Sequence, residues 1–241
     1  MHTSTVVIGA GRVGRTVAAR LVGARLAGRG ATPDLAGCGL LLIATPDAEI
    51  EPVCRALAPL LPAGAAVVHF SGATSVHALD AAPGPTACVH PLQTVSADAG
   101  PDQLEGAYAA VTGDLEVGER LARGLGMTPF PLADQAKPLY HAASAFASNY
   151  LVTLTQVAAG LLERSGVDRE LALQALAPLQ LRTLEVAGLP PTGPIARGDA
   201  GTVAAHLEAI GPELAPLYRA LGRATLPLVS PASAAAVEPL L

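Results

Sequence analysis

The fold of this chain is decided by its first strand and the turn after it, Thr5-Val6-Val7-Ile8-Gly9-Ala10-Gly11-Arg12-Val13-Gly14. A β-branched apolar run predicts a buried strand, and it leads directly into Gly-x-Gly-x-x-Gly at the start of a helical pattern. The three glycines have separate mechanical roles. Gly9 permits the tight turn, Gly11 lets the backbone approach a pyrophosphate, and Gly14 allows helix and strand to pack closely. We therefore predict a dinucleotide site here, in preference to a purely structural turn.

The first helical turn supplies the remaining contacts of this predicted site. Amide groups at a helix start bind anions, so we expect the cofactor to touch the main chain from Gly9 to Gly14, including Val13. Arg12 lies inside the turn and offers a phosphate contact. The competing interpretation is that the glycines only shape a turn in a chain that has 25 of them.

The composition argues against several classes of protein. The net charge is -5 and the Lys and Arg residues are scattered, so we expect no nucleic-acid surface. Half of the 241 residues are hydrophobic, yet no apolar stretch reaches the ~20 uninterrupted residues of a membrane helix. The first four residues lead straight into the strand without a signal segment, so we expect a cytoplasmic protein. Neither the three cysteines nor the histidines have metal-ligand spacing, and we expect no metal site.

The order of elements predicts an α/β fold with an N-terminal Rossmann-like, mostly parallel sheet and an all-α C-terminal domain. Apolar runs that end in polar residues predict further strands at 40–44, 65–70, 86–89 and 108–111. Only about fifteen residues separate Ala24 from Cys38, so we expect at most a short strand at 25–28 and no crossover helix; the sheet is shortened after the first βα unit. After residue 131 the pattern is helical only, which predicts domains 1–131 and 132–241 and helices at 132–164, 168–186, 199–210 and 212–221. Asp47 is predicted to cap a helix over 48–58.

Polar residues at the ends of the predicted strands are candidates for contacts to the cofactor and the substrate. Thr45, Pro46 and Ser71 are predicted to face the cofactor ribose or nicotinamide, because the ligand crevice lies at the carboxyl ends of such strands. His90 follows a strand and precedes Pro91, which favours an extended backbone that directs the imidazole into the crevice. The alternative for His90 is a loop histidine bonded to a backbone carbonyl.

A polar stripe runs along the predicted helix 132–164. Its members are spaced by four, three and four residues, so they project from one face: Lys137, His141, Ser144 and Ser148. The intervening residues are mostly alanine, and Tyr140 and Asn149 flank the stripe. One interpretation makes Lys137 or His141 the proton donor when hydride reaches a substrate, with Ser144 and Asn149 assisting. The other makes the stripe a set of buried polar groups satisfied across a subunit interface.

A compact loop, Thr192-Gly193-Pro194-Ile195-Ala196-Arg197-Gly198-Asp199, precedes a predicted helix that Asp199 caps. Arg197 is a candidate for holding a substrate carboxylate through a bidentate contact. It is equally suited to pair with Asp199 or Glu208 and order the loop.

Taken together, these motifs resemble a family of Rossmann-like oxidoreductases with a helical C-terminal domain of unknown function. The resemblance rests on the glycine turn and on six further segments: 43–47, 69–73, 90–94, 137–144, 147–150 and 192–199. The plan is similar to that of pyrroline-5-carboxylate reductase, ketopantoate reductase and the hydroxyacid dehydrogenases related to 6-phosphogluconate dehydrogenase. That resemblance implies an NADP or NAD cofactor, an active site between the domains, and dimerisation through the C-terminal helices. It also implies that Lys137, with His141 or Asn149, assists the reduction of a small carbonyl or imine acid.

The segment after Gly23 departs from this family plan, because the second strand is short and its helix is missing. Arg29 stands 20 residues after Gly9, where an arginine would bind the 2'-phosphate of NADP, whereas Asp34 stands 20 after Gly14, where a carboxylate would bind a ribose hydroxyl. We favour Arg29 and NADP, with NAD as the alternative. A non-catalytic nucleotide-binding or scaffold protein with a degenerate adenosine site is the competing hypothesis for function.

Overall fold

The computed structural model describes residues 4–28, 30, 33–97 and 99–241. The chain divides into two compact units, residues 1–150 and 151–241. The first unit extends past residue 131, the predicted end of the first domain. It does so because the helix that begins at Lys137 is hydrogen-bonded to residues at the ends of the strands.

The first unit is built on a single mixed sheet. Its strands are β1 (Ser4–Ile8), β2 (Arg25–Ala27), β3 (Cys38–Ile43), β4 (Ala66–His69), β5 (Thr86–Leu92), β6 (Tyr108–Gly113) and β7 (Thr128–Pro131). They are ordered β2-β1-β3-β4-β5-β6-β7, and all neighbours are parallel except β5 and β6. The predicted mostly parallel sheet is thus confirmed. In the sheet, β2 lies on one side of β1 and β3 on the other. The strand order therefore reverses at β1, which places the ligand crevice at the carboxyl ends of β1 and β3.

Helices of the first unit pack on both faces of this sheet, and other helices make up most of the second unit. The helices are α1 (Arg12–Arg20), α2 (Ile50–Leu57), α3 (Leu115–Gly124), α4 (Lys137–Ala147), α5 (Asn149–Arg164), α6 (Arg169–Glu185), α7 (Pro194–Arg197), α8 (Ala200–Ile210), α9 (Ala215–Thr225) and α10 (Pro231–Val237).

Alternating side chains of the central strands divide the core into two layers. Val7, Leu42 and Val68 point to the layer that α1 and α3 cover. Val6, Leu41 and Val67 point to the opposite layer, which contains the buried face of α2. Most strands therefore read as continuous apolar runs, as is typical of a sheet that is buried on both faces.

The region after β2 is as short as the sequence predicts. β2 pairs with β1 over three residues, and the described residues between Ala27 and Cys38 contain no helix. The described part of the connection from β2 to β3 therefore lacks the helix that a full dinucleotide half-domain has there.

Three local predictions are wrong. The predicted helix 132–164 is two helices, because the backbone at Ser148 leaves the helical region (φ -123°, ψ -70°). β5 continues through His90 and Pro91 to Leu92, since β6 pairs with it in the antiparallel direction along its full length. Asp47 begins a 3-10 turn and makes no capping bond to α2.

The second unit consists of α6 to α10 and most of α5. The predicted cap is present at α8, where the Asp199 carboxylate accepts an amide hydrogen bond, and the Asp168 carboxylate caps α6 in the same way. Few of its apolar side chains are buried, namely Ala159, Ala172, Val203, Ala215 and Val237. Much of the leucine in these helices is accordingly exposed.

By length and composition, one helical stretch, residues 134–164, is apolar enough to cross a membrane, although only 6% of its most apolar window is buried in the protein. The stretch contains the break at Ser148. Its two helices, of 11 and 16 residues, are each shorter than the ~20 residues that a bilayer requires. A single stretch of this kind is weak evidence for a membrane segment.

Candidate functional site

The glycine turn after β1 has the geometry that its sequence predicts. Gly9 has φ +106°, and a Cβ atom there would lie 2.5 Å from the carbonyl oxygen of Ala44 at the end of β3. A Cβ atom on Gly14 would lie 1.8 Å from the carbonyl oxygen of Gly9. A Cβ atom on Gly11, in contrast, would meet nothing within 4 Å. Gly9 and Gly14 are therefore required by packing, whereas Gly11 leaves free space beside the backbone.

The start of α1 is suited to an anion. Gly11 is its N-cap and has no side chain to satisfy the first amides, and the first turn contains no acidic residue. Such amides carry partial positive charge and have no acceptor within the helix. Arg12 is exposed beside them, while the Val13 side chain packs against the core. Main-chain N-H groups thus lie where a pyrophosphate is predicted, and Arg12 is the next residue after the N-cap.

A cavity of about 870 Å³ opens in front of the glycine turn. It lies at the carboxyl ends of β1 and β3, and it includes four of the predicted cofactor contacts: Gly9, Gly11, Thr45 and Pro46. Apolar side chains of α2 form another part of its wall, as does Glu49. The volume falls in the range of sites for small ligands and cofactors.

Arg29 and Asp34 are the two residues predicted to contact the adenosine side of the cofactor. Arg29 lies outside the described residues, although Gly28 and Gly30 line the cavity. Asp34 does not line it; its carboxylate accepts a hydrogen bond from the amide of Ala36 and lies 3.5 Å from the Arg25 guanidinium. Asp34 therefore orders the segment before β3.

Lys137, the first residue of α4, is enclosed in the protein. Its side chain is 2% exposed. The ammonium Nζ donates to the carbonyl oxygen of Ser71 at 3.0 Å and lies 2.9 Å from the Cys88 sulfur. These contacts join α4 to the turn after β4 and to β5. Lys137 is thus a buried polar group whose hydrogen-bond partners lie within the same unit.

Ser71 uses its hydroxyl within its own turn. The Oγ atom accepts hydrogen bonds from the amides of Ala73 and Thr74 and donates to the Thr74 hydroxyl. The residue is 8% exposed and does not line the 870 Å³ cavity. Ser71 therefore shapes the loop at the end of β4, and its predicted contact with a cofactor would need this turn to open.

His69 is a residue that the sequence analysis overlooked. It ends β4, is completely buried, and accepts a hydrogen bond at Nδ1 from the Ser71 amide, so its proton lies on Nε2. Burial and the nearby charge of Lys137 lower the pKa of His69 to about 4. Its Nε2 and the Thr45 hydroxyl are buried polar atoms without a hydrogen-bond partner among the described residues. A histidine as the last residue of an apolar strand is the signal that would have identified it.

His90, Tyr140 and His141 meet above Gly72. The Nδ1 atom of His90 is 2.7 Å from the Tyr140 hydroxyl, and the rings of His90 and His141 lie edge to face with centroids 6.0 Å apart. A Cβ atom on Gly72 would approach His90 Nε2 and His141 Cδ2 to 2.8 Å each. The structure therefore brings together three side chains that can exchange protons or donate hydrogen bonds.

Burial controls the protonation of this group. It lowers the pKa of His90 to about 4, with the neighbouring His141 and Lys137 acting in the same direction. It also raises the pKa of Tyr140 to about 12. At neutral pH, His90 is accordingly a neutral imidazole and Tyr140 a protonated phenol.

The remaining members of the predicted stripe lie apart from this group. The Ser144 hydroxyl donates to the backbone carbonyl of Tyr140 one turn earlier. Ser148 lies at the helix break, 3.0 Å from the Thr94 hydroxyl. Asn149 begins α5 and is exposed. The four-residue stripe is consequently divided among the core, the histidine cluster and the helix break.

Arg197 is the last residue of the short helix α7 in the second unit. Gly193 and Gly198 have positive φ angles, and the Ser233 hydroxyl donates to the carbonyl of Ala196. The Asp199 carboxylate is occupied by Thr202, and Arg197 forms no ion pair within 4 Å with Asp199, Glu208 or any other described residue. The predicted ordering role through an ion pair is therefore not observed. Within the described ranges, no cluster of three or more His, Cys, Asp or Glu residues is suited to hold a metal ion.

The fold and the glycine turn define a Rossmann-like α/β protein with a helical second part, and comparisons with known proteins agree. Residues 107–225 match the family model described as Domain of unknown function (DUF2520). Protein BF3122 from Bacteroides fragilis is similar in structure, with a TM-score of 0.73 and 21% identity over 92% of this chain and 97% of that chain. Protein TM1727 from Thermotoga maritima is also similar, with a TM-score of 0.69 and 20% identity over 93% of this chain and 97% of that chain.

Pyrroline carboxylate reductase from Plasmodium falciparum has the same plan at 13% identity and a TM-score of 0.63, over 99% of this chain and 97% of that chain. Among curated proteins, none matches this chain in sequence. At these identities the likeness establishes the fold, and the predicted Rossmann-like plan is confirmed.

Proposed function

We propose that this chain is an NAD(P)-dependent oxidoreductase that moves hydride between the cofactor and a small carbonyl or imine acid. The observation that carries the proposal is the free space beside Gly11, at a helix start that faces an 870 Å³ cavity. Gly11 is the one glycine of the three that packing does not require. A pyrophosphate accounts for it, because a Cβ atom would keep the anion away from the first amides.

Other features of the site fit a nicotinamide cofactor. Gly9, Gly11 and the first turn of α1 would hold the pyrophosphate, with Arg12 as a second phosphate contact. Thr45 lines the cavity, and its unpartnered hydroxyl suits a polar group such as an amide. A bound nicotinamide would supply or accept hydride. His90 and its neighbours are then the groups of this chain that exchange a proton with the substrate.

The names of the structural neighbours support this class of activity. BF3122 bears a provisional name as an NADP oxidoreductase, and the Plasmodium reductase was solved with NADP bound. An imine reductase from Aspergillus terreus, solved with a reduced nicotinamide dinucleotide, has a TM-score of 0.63 at 15% identity. We propose NADP as the cofactor on the position of Arg29 in the sequence, a cytoplasmic location, and Arg197 as the residue that binds the acid group of the substrate.

The proposal is tested by calorimetric titration of the protein with NADPH and NADH. We expect a Kd below about 1 mM for one of them, as is usual for such ligands. Gly11→Ala should raise that Kd at least tenfold, about 1.4 kcal/mol, without lowering the melting temperature. Gly124→Ala, at the exposed end of α3, also adds a methyl group in open space and is the matched control. Absence of binding to both dinucleotides would instead favour the scaffold hypothesis.

The choice between the cofactors is tested with Arg29→Ala. If Arg29 binds the 2'-phosphate, the variant should weaken NADPH binding by tenfold or more, a typical charge-assisted contact, and leave NADH binding unchanged. Equal effects on the two dinucleotides would remove Arg29 from the assignment.

We also propose that the chain forms a homodimer through its helical unit. Leu181 and Leu184 are spaced to share a face of α6 and are 64% and 57% exposed, in a unit that buries few apolar side chains. Light scattering should give the mass of a dimer. Introducing Leu181→Glu and Leu184→Glu together should give a monomer, whereas Leu60→Glu, an exposed leucine of the first unit, should not. A wild-type monomer would contradict the proposal.

A further inference from the structure

The Tyr140 hydroxyl has one strong acceptor for its proton, His90 Nδ1, at 2.7 Å. The edge of the Phe130 ring lies on another side of the phenol. Ser144 also acts on the phenol and lowers its pKa, but its hydroxyl proton goes to the Tyr140 carbonyl, and a hydroxyl oxygen accepts more weakly than an imidazole nitrogen. If His90 donated from Nδ1, the phenol would lose its best acceptor in a partly buried position, which is costly. The hydrogen bond therefore runs from Tyr140 to His90, and the imidazole proton lies on Nε2.

The Nε2 atom of His90 is open, in contrast to that of His69. Both atoms lack a hydrogen-bond partner among the described residues, but only that of His69 is fully enclosed. His90 Nε2 therefore presents an N-H donor to the space beside it. This donor is not fully enclosed by the described residues.

Gly72 shows how closely the imidazoles of His90 and His141 pack against the turn after β4. Its φ angle is outside the left-handed region, so the backbone conformation does not require glycine. A side chain at this position would collide with both imidazoles, at 2.8 Å from each. Glycine is needed here because His90 and His141 approach the turn after β4 so closely. Glycine at this position therefore allows His90 Nε2 to lie against the turn after β4.

We propose that Tyr140 is a positioning residue that donates to His90 Nδ1 and so holds the proton of neutral His90 on Nε2, from which His90 protonates the carbonyl oxygen or imine nitrogen of the substrate. This inference rests on the proposed function. It extends that function by assigning the proton donor to His90 in place of Lys137, whose ammonium is occupied by Ser71 and Cys88.

The proton transfers balance. As hydride adds to the substrate carbon, the oxygen or nitrogen gains the proton of His90 Nε2, and Nδ1 takes the proton of the Tyr140 hydroxyl. The resulting tyrosinate recovers a proton from water. The transfer is favourable for a carbonyl substrate, because an alkoxide is more basic than a phenolate even when burial raises the pKa of Tyr140 to about 12.

Other charged groups act on His90 without replacing its partner. His141 and Lys137 on α4 both disfavour the imidazolium, and Asp47, in the loop after β3, favours it. Their combined effect with burial keeps His90 neutral at pH 7. The tautomer is then decided by the hydrogen bond at Nδ1.

The first test is the tautomer of His90 by 15N NMR at pH 7, with the signal assigned through His90→Gln. In the wild-type protein we expect a protonated Nε2 and an unprotonated Nδ1. Tyr140→Phe should give a mixture of both tautomers for His90. Tyr218→Phe is the matched control, because its hydroxyl lies 2.9 Å from Nδ1 of His206 and only that histidine should respond. A wild-type His90 that carries its proton on Nδ1 would overturn the proposal, whether or not Tyr140→Phe folds.

The second test is kinetic and uses the carbonyl or imine substrate that turns over fastest. Tyr140→Phe should lower kcat by about ten- to a hundredfold, part of what general acid catalysis supplies, with KM and the Kd of the dinucleotide unchanged. Tyr108→Phe, on an exposed part of β6, should retain the wild-type kcat. An unchanged kcat in Tyr140→Phe would contradict the relay. Failure of the dinucleotide to bind would contradict the proposed function alone, since the tautomer is measured without it.

Discussion

Lys137 offers the sharpest test of how this site is held together. The sequence pattern admits it as a proton donor, but the structure encloses its ammonium between Ser71 and Cys88. Replacing it with alanine removes three methylene groups from the core, about 2.4 kcal/mol at 0.8 kcal/mol each. It also leaves the Ser71 carbonyl without its donor, which costs about 1–3 kcal/mol. Release of the buried ammonium offsets part of this loss.

Methionine at the same position separates these contributions. Methionine fills nearly the same volume as the lysine stem and carries no charge. Lys137→Met and Lys137→Ala therefore both remove the ammonium and its hydrogen bond to Ser71. The two variants therefore differ mainly by the lost apolar burial. We expect Lys137→Met to be more stable than Lys137→Ala by about 2 kcal/mol.

The assay is urea unfolding followed by circular dichroism at pH 7 for the wild-type protein and both variants. Equal stability of the alanine and methionine variants would show that the stem of Lys137 is not packed in the core, and would refute the reasoning. A difference of the expected size, with dinucleotide binding retained in the methionine variant, would support a structural anchor.

Three further predictions concern stability. His69 takes up a proton below about pH 6.5 in the unfolded chain but only below about pH 4 in the folded protein, so the free energy of unfolding should fall as the pH is lowered from 6.5 to 4. In urea titrations of His69→Gln, this fall should be smaller by about 3 kcal/mol than in the wild-type protein. Gly14→Ala places Cβ 1.8 Å from the Gly9 carbonyl and should cost at least about 3 kcal/mol, so an unchanged melting temperature would contradict the packing role. The Asp134 carboxylate accepts a hydrogen bond from the Ser75 hydroxyl at 2.6 Å, so Asp134→Asn should lower the free energy of unfolding by about 1–2 kcal/mol in urea. A variant as stable as the wild-type protein would contradict this prediction.

Local features of this chain were readable from the order of its residues. The glycine turn, the short β2 and the cap at Asp199 all depend on residues that are close in sequence, and each is found as predicted. Their physical basis is short-range: the φ angle open to glycine, the period of apolar residues, and a carboxylate within reach of amides two or three residues later.

The polar groups of the site depend on contacts that no local pattern contains. Lys137 meets Ser71 across 66 residues of sequence, and Tyr140 meets His90 across 50. Helical spacing correctly placed Lys137 and His141 on one helix, but it does not specify which side chain the sheet encloses and which remains open. Nor does it predict the break at Ser148, where the backbone departs from the helix.

The first fourteen residues therefore determine a dinucleotide turn by themselves, because strand, turn and helix start are joined there by covalent neighbours. Tertiary packing alone decides what surrounds that turn. The antiparallel pairing of β5 and β6 carries the strand through His90. The packing of α4 buries Lys137, whereas His90 Nε2 is not fully enclosed. Burial and hydrogen-bond partners set the charge of each group, and both are properties of segments that meet only in the folded protein.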